Sequence, residues 1–194
     1  DLDAFLEDSP TENSLKRRLS RLSESQKISV DFEAVVTHEL SDTINQLSSQ
    51  SSCEWLVMGW DGRPTTGIFI TNPIGWLLAN INSKLALYRD NGVRYVGKVL
   101  LALRPGRKDK NFISIAKNVC DYFGGSLTLL HVLPENSSTT ETVKHRSEEK
   151  LKQSGVDAEV LILKSADPVE TISETSASYD LLILGTPEKD NWIN

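Results

Sequence analysis

Residues 54–64 read EWLVMGWDGRP, and this stretch decides the fold of the chain. An apolar run leads directly into the pattern Gly-x-x-Gly at Gly59 and Gly62, which is typical of a buried strand that ends in a tight loop. Residues 179–187, YDLLILGTP, repeat the arrangement around Gly185. Ligands of open α/β sheets bind outside the carboxyl ends of the strands, so both loops are candidate ligand sites.

Strand-like and helix-like segments alternate along the rest of the chain. Residues 97–103 form a continuous apolar run, as expected of a strand in the middle of a parallel sheet. The other predicted strands are residues 28–36, 85–88, 126–133, 158–163 and 180–184, and the predicted helices begin near residues 9, 41, 72, 111, 141 and 167. Such alternation is typical of βαβ units. We therefore predict a three-layer α/β/α protein around a mainly parallel sheet.

The first predicted helix begins at residues 9–12, SPTE, which combine a capping serine, a proline at the first helical position and a capping-box glutamate. Its apolar face is formed by Leu15, Leu19 and Leu22, spaced as on one side of an amphipathic helix. The other faces carry basic residues: Lys16, Arg17, Arg18 and Arg21. We interpret this basic cluster as a solvated helix face.

The composition excludes several classes of function. Hydrophobic residues at 39% and charged residues at 25% are ordinary for a globular protein, so the chain is expected to fold. The formal net charge of −6 argues against a general nucleic-acid binder. It also argues against adhesion to anionic lipid, so no direct lipid binding is expected.

Cysteine spacing and the lengths of the apolar runs argue against disulfides, a zinc site and a membrane span. Cys53 and Cys120 have no CxxC spacing, so neither a disulfide framework nor a zinc site is indicated. No run reaches the roughly 20 apolar residues of a membrane span. Since the chain starts without Met, we expect it to be a piece of a longer polypeptide.

An internal repeat relates the two halves of the chain. Gly59 and Gly185 lie 126 positions apart, and the same shift places Ser41 on Asp167, each at a predicted helix start. Agreement of several features at one offset indicates a duplicated module, although any two βαβ units share such features.

Two incomplete modules follow from this repeat. Residues 1–92 form the first, which lacks its first strand–helix–strand, and residues 93–194 form the second, which lacks its last helix and strand. Whether the missing strands are absent or supplied by another chain is open at this stage.

The strand patterns resemble those of the universal stress proteins. Residues 99–103 (VLLAL), a helix and residues 127–132 (LTLLHV) are similar to the opening of such a domain, and residues 180–186 (DLLILGT) to its fourth strand and loop. Residues 54–62, 72–75 and 85–89 match the same family from its third strand to its fifth. The resemblance covers nearly the whole chain and implies a Rossmann-like fold.

The nucleotide-binding members of that family carry Gly-x2-Gly-x9-Gly-Ser/Thr after the fourth strand, because glycines let backbone N–H groups approach phosphate. Gly59 and Gly62 fit this motif. The next glycine, Gly75, lies too far along, and Trp76 stands where the hydroxyl belongs. The loop therefore matches the phosphate motif only in degenerate form.

The second copy matches the motif less well. Glu188 stands at the second glycine position, where a carboxylate would repel phosphate, and Arg104 replaces the aspartate that closes the family's first strand. We therefore expect no cofactor, with ATP as the remaining alternative. Arg104, Gly106 and Arg107 could instead form an anion-sensing loop at a helix N-terminus.

The chain resembles a narrower group of protein domains in three features: tandem copies, the Gly59-Trp60 pair and poor nucleotide motifs. Similar domains form the cytosolic C-terminal regions of prokaryotic transporters of the amino-acid permease and cation–chloride cotransporter superfamily. The resemblance implies a regulatory homodimer at the cytoplasmic face of the cell membrane, joined to a transmembrane part of the same polypeptide. Candidate interface residues are Trp60, Trp76 and Tyr88. The alternative is a soluble, nucleotide-binding universal stress protein.

Catalysis is the weakest hypothesis from the sequence. The three histidines, His38, His131 and His145, have no Ser or Cys nearby in a recognisable nucleophile motif. His131 lies in an apolar strand, which favours a hydrogen-bonded core residue. No ligand-spaced cluster indicates a metal. We expect no enzyme activity.

Overall fold

The structure is a computed structural model that describes residues 10–59, 80–81, 83–104 and 109–185. The helices are α1 Pro10–Gln26, α2 Leu40–Ser51, α3 Asp109–Phe123, α4 Thr140–Gln153 and α5 Pro168–Ser176. The strands are β1 Trp55–Gly59, β2 Lys84–Tyr88, β3 Lys98–Ala102, β4 Ser126–Leu133, β5 Glu159–Lys164 and β6 Leu181–Leu184. The predicted cap Ser9 and the predicted helix start near residue 72 lie outside the described residues.

The chain divides into two compact units. Of the described residues, the first unit holds 10–58, 80–81 and 83–86, and the second holds Gly59, 87–104 and 109–185. The predicted division into incomplete modules at residues 1–92 and 93–194 stays a prediction, as does the duplication.

The first unit is built around the two-stranded sheet of β1 and β2. The amide of Lys84 donates to the carbonyl of Glu54 over 2.9 Å, and the two side chains form an exposed ion pair at 2.6 Å. Of the residues described here, Ile81 and Ser48 are buried, whereas α1 buries none of its residues. This unit therefore has little core of its own among the described residues.

The predicted strand at residues 28–36 is wrong. The segment has no regular secondary structure, and Ile28, Val35 and Val36 are 49%, 46% and 82% exposed. Alternating apolar residues form a strand only where a neighbouring strand takes up the backbone N–H and C=O groups. Among the described residues, β1 and β2 pair with each other and neither pairs with this segment.

The structure locates two of the predicted helix starts. Helix α2 begins at Leu40, so Ser41 lies inside the helix and does not cap it. The helix start predicted at Asp167 is confirmed, and its carboxylate caps α5 by accepting from the amides of Val169 and Glu170 at 3.0 and 2.9 Å. An aspartate in this position also interacts favourably with the helix dipole.

The second unit contains a four-stranded parallel sheet in the order β5-β4-β3-β6. In register, Leu101 of β3 lies between Leu129 of β4 and Ile183 of β6. Val99, Leu100 and Leu101 of β3 are fully buried, which explains why this strand reads as an unbroken apolar run.

Helices cover both faces of this sheet. On one face, Val99 and Leu101 pack with Ile113 and Ala116 of α3 and with Leu151 of α4. On the other face, a second cluster contains Leu100, Ala102 and Leu130, against which Ile172 of α5 and Tyr179 pack. The predicted α/β class with a parallel sheet is therefore confirmed, and the arrangement is that of three layers.

The amino ends of the central strands are fixed by two devices. One carboxylate oxygen of Asp180 accepts from the amides of Gly97 and Lys98, each at 2.8 Å. After α3, Gly124 adopts a φ of +69°, and Gly125 lies so close to β3 that a Cβ would come within 2.7 Å of the carbonyl oxygen of Val96. Helix α3 accordingly ends at Phe123, directly before these two glycines.

Candidate functional site

The candidate site lies at the carboxyl edge of the sheet in the second unit. Ala102 of β3 and Leu184 of β6 are register partners, so the loops that begin with Leu103 and Gly185 start side by side. The amide of Gly185 donates to the carbonyl of Ala102 over 3.2 Å. This edge is where an open α/β sheet would bind a ligand.

Gly185 is packed against apolar side chains at this edge. A Cβ added to it would overlap Cδ2 of Leu103 and would lie 3.5 Å from Cε2 of Phe112, the latter on the first turn of α3. Its N–H is already donated to Ala102. The glycine therefore permits close packing with Leu103, and its N–H is taken up by the neighbouring strand.

Arg104 follows β3 and is exposed. It stands where the nucleotide-binding relatives of the resembled family place an aspartate. Gly106 and Arg107, the other two residues of the predicted anion loop, lie outside the described residues. The structure therefore locates one of the three residues and does not test whether they form a loop that binds an anion.

His131 and Ser147 form a buried pair just below this edge. The two are 1% and 5% exposed. Nδ1 of His131 lies 2.8 Å from the carbonyl oxygen of Leu103, and Nε2 lies 2.8 Å from Oγ of Ser147. Since a carbonyl only accepts, Nδ1 carries the proton toward Leu103, and in the neutral ring Nε2 accepts from the Ser147 hydroxyl.

This pair joins the end of β3 to β4 and α4. The prediction of a hydrogen-bonded core histidine is confirmed, whereas Ser147 was not identified from the sequence. A small polar residue four positions before the buried Leu151, on a helix that is otherwise charged, is the signal that could have indicated it. Because both side chains are buried, the pair is not placed to attack a substrate.

The first candidate loop begins at Gly59, the last residue of β1. A Cβ at this position would meet no atom within 4 Å, so the described surroundings of Gly59 are open, unlike those of Gly185. Gly62, Gly75, Trp60 and Trp76 lie outside the described residues. Tyr88 ends β2 and is 50% exposed.

Cys53 lies in a small polar cluster in the first unit that the sequence did not reveal. Its Sγ is 3.3 Å from Oγ of Ser48 and 3.4 Å from Oγ of Ser83, and the two hydroxyls are 2.8 Å apart. Hydrogen bonds from Ser48 and then Ser83 lower the pKa of the Cys53 thiol. By contrast, burial raises the pKa of Cys120, which packs in the core.

Surface hollows occur along α1. One is lined by Asn13, Lys16, Arg17, Ser20 and Arg21, and another by Pro10, Thr11, Ser14, Leu15 and Arg18. Each is lined by residues of one helix only. A ligand pocket is normally enclosed by several elements, so neither hollow is a candidate small-molecule site.

Two searches of the described residues bear on membranes and metals. Among the helices of these residues, none combines the length and the apolar character that crossing a bilayer requires. Within the same part of the chain, His, Cys, Asp and Glu side chains form no group of three or more that could hold a metal ion.

Solved structures with a similar fold are known, although no protein-family model and no curated protein matches this chain. A universal stress protein from Archaeoglobus fulgidus superposes with a TM-score of 0.66 at 16% identity, covering 96% of this chain and 69% of that one. A putative universal stress protein from Pseudomonas aeruginosa UCBPP-PA14 gives 0.62 at 18% identity, covering 93% and 69%.

A third structure, a protein of unknown function from Pseudomonas aeruginosa PAO1, gives a TM-score of 0.61 at 18% identity, with coverage of 93% and 69%. Identities this low establish the fold and nothing more specific. Together with the parallel sheet, its two helical layers and its strand order, they lead to one conclusion. The chain has a universal stress protein-like, Rossmann-like fold.

Proposed function

We propose that the chain is a non-catalytic regulatory and dimerisation domain of a membrane transporter of the amino-acid permease or cation–chloride cotransporter type. It would lie at the cytoplasmic face of the membrane. The observation that carries this proposal is the packing of Gly185 against Leu103, with its N–H donated to Ala102. A nucleotide-binding domain keeps its loop glycines open so that backbone N–H groups can reach phosphate.

The charge at the same edge supports this reading. Arg104 is exposed after β3, in the position of the aspartate that the resemblance associates with nucleotide binding. A module that keeps the sheet and has lost the nucleotide contacts is suited to pairing subunits. Its role would be to alter how domains pack, with no bound cofactor and no reaction.

Subunit pairing is the first property to test. Sedimentation equilibrium or light scattering on the 194-residue chain is expected to show a homodimer. A strict monomer at the highest soluble concentration would contradict the dimerisation role. The transporter assignment is tested separately by reading the open reading frame that encodes this chain. Several apolar segments of about 20 residues each would support it, and their absence would contradict it.

A soluble, nucleotide-binding universal stress protein is the second candidate. Gly59 favours it, because a Cβ there would meet no atom within 4 Å and the loop start is thus open. Two of the structures with a similar fold are also described as universal stress proteins, one of them as putative.

Calorimetric titration with ATP and Mg²⁺ separates the two candidates. The transporter-domain proposal predicts no measurable heat of binding. Binding by the wild-type chain that Gly59→Val abolishes would instead support the stress protein. Gly185→Val is not a suitable control because Leu103 blocks the added side chain, whereas Gly59→Val meets no described atom.

A further inference from the structure

Helix α1 presents an unusual surface for an acidic protein. It buries none of its residues, and Leu15 and Leu22 are 43% and 44% exposed. Arg18 lies three residues after Leu15 and four before Leu22, and Arg21 lies three residues after Arg18. The four side chains therefore form one strip, which we call the α1 face. The strip is apolar along one edge and basic along the other.

The charge of α1 is opposite to that of the rest of the chain. It carries four basic and two acidic side chains, a formal charge of +2, in a chain whose total is −6. The remaining residues therefore sum to −8. An acidic surface is thus the natural complement of the α1 face, and the rest of the chain supplies acidic surface.

Helix α5 offers such a surface. Ile172 packs against the core of the sheet, whereas Val169, Glu170, Ser173 and Glu174 are exposed. We call these four residues the α5 face. It carries two carboxylates and no basic residue, and Val169 is 78% exposed. Its apolar and acidic groups thus mirror the apolar and basic groups of the α1 face.

The two faces also agree in size. The seven-residue step from Leu15 to Leu22 spans about 10 Å along α1, and the five-residue step from Val169 to Glu174 spans about 8 Å along α5. We propose that the α1 face of one copy docks on the α5 face of a second copy, and reciprocally, in a twofold dimer. This inference rests on the dimerisation role proposed above, because it identifies the surfaces that pair.

Two other occupants of α1 are disfavoured. A second α1 would bring its own cluster of Lys16, Arg17, Arg18 and Arg21 against the first, and like charges at an interface repel. An anionic membrane would match the charge, but helices that lie in membrane interfaces usually carry Trp or Phe on a broad apolar face. Helix α1 has no aromatic residue and a stripe of three leucines.

The test is a charge exchange between the two helices. Variant one is Arg18→Glu with Arg21→Glu, and variant two is Glu170→Arg with Glu174→Arg. Each alone makes both reciprocal contacts repulsive, so each is expected to dimerise at least about tenfold more weakly than wild type. Mixing the two variants restores attraction at both contacts, and a one-to-one heterodimer is expected. Circular dichroism checks that the variants remain folded.

A matched control reverses the charge of two basic residues on another helix. Lys144→Glu with Arg146→Glu reverses two exposed cations on α4 and is expected to leave the dimer intact. Raising NaCl from about 0.1 M to about 1 M is expected to weaken the wild-type dimer, because exposed charges are screened over shorter distances.

The outcomes distinguish this inference from the function on which it rests. A wild-type monomer overturns both. A wild-type dimer that variant one leaves unchanged, or that the α4 control weakens equally, overturns only the α1–α5 contact. Binding to phosphatidylserine vesicles that variant one abolishes, with dimerisation unaffected, also overturns the contact and assigns α1 to a lipid surface.

Discussion

The buried pair of His131 and Ser147 shows how one side chain can connect three elements. Its imidazole donates to the carbonyl of Leu103, directly after β3, and accepts from a hydroxyl on α4, so both ring nitrogens are satisfied in the core. Buried polar groups are tolerated when they are paired in this way. The loop after β3 therefore starts from a fixed point, which matters for any role of Arg104.

Removing the hydroxyl tests this pairing. Ser147→Ala removes the hydroxyl that donates to Nε2 of His131 in the core, and we expect the free energy of unfolding to fall by about 1–3 kcal/mol. Urea unfolding followed by circular dichroism measures the change. The control is Ser114→Ala on the exposed side of α3, which is expected to stay within about 0.5 kcal/mol of wild type. Equal effects of the two substitutions would contradict the role of Ser147.

The two cysteines are expected to differ in reactivity. The thiolate is the reactive form, and hydrogen bonds from Ser48 and Ser83 lower the pKa of Cys53 while burial raises the pKa of Cys120. Alkylation with iodoacetamide, followed by peptide mass spectrometry, should therefore label Cys53 first. In urea the two rates should converge. Faster labelling of Cys120 in the folded protein would contradict the environments described.

The same shift of Cys120 has a consequence for stability in alkali. The thiol has a higher pKa in the folded protein than in the unfolded chain. Its contribution to the free energy of unfolding is therefore complete below the unfolded pKa and is lost as the pH rises through the folded pKa. Substitution Cys120→Ala removes this dependence. Unfolding curves of the two proteins should therefore differ in slope with pH only on the alkaline side.

At the scale of elements, the parallel sheet depends on close approach between the α3–β4 turn and β3. A Cβ on Gly125 would lie 2.7 Å from the carbonyl oxygen of Val96 and 3.0 Å from that of Gly97, and backbone atoms cannot move aside as a side chain can. Gly125→Ala is expected to destabilise the protein by about 1–3 kcal/mol in thermal or urea unfolding. Gly59→Ala, with nothing within 4 Å, is the control and is expected to be nearly neutral.

The elements also show what the sequence can predict. Strand β3 is buried on both faces, and its unbroken apolar run allowed a correct prediction without knowledge of its neighbours. Residues 28–36 have a strand-like alternation, but a strand also needs a partner, and periodicity does not report whether one exists. Whether a strand finds a partner strand depends on how the whole unit folds.

The candidate site was less predictable for a related reason. The glycine after β6 was identified from the sequence, but its packing against Leu103 and Phe112 depends on how α3 lies across the sheet. Likewise, Ser147 meets His131 only because α4 covers β4, and Cys53 meets Ser83 across 30 positions. Motif spacing describes one segment at a time, whereas these contacts join segments.

For the whole molecule, stability is expected to be concentrated in the second unit. Its sheet carries fully buried residues on both faces, whereas α1 and residues 28–36 are largely exposed. Amide hydrogen exchange should therefore be slowest in β3 and β4 and fast in residues 28–36, because local opening exposes little apolar surface there. Equal protection of residues 28–36 and β3 would contradict this distribution.

The carboxylate of Asp180 holds two backbone amides of the segment that begins β3, across 83 and 82 positions of sequence. Pairs so distant must close a long loop before they gain any contact, and such pairs slow folding. The local unit of β3, α3 and β4 can form early, whereas β6 can be added only after the chain between β4 and β6 has been synthesised. During synthesis one edge of β3 therefore stays unpaired until β6 has been made. Asp180→Asn, which weakens these two hydrogen bonds, should slow the docking of β6 once it has been made and raise the fraction of chains that aggregate before they fold.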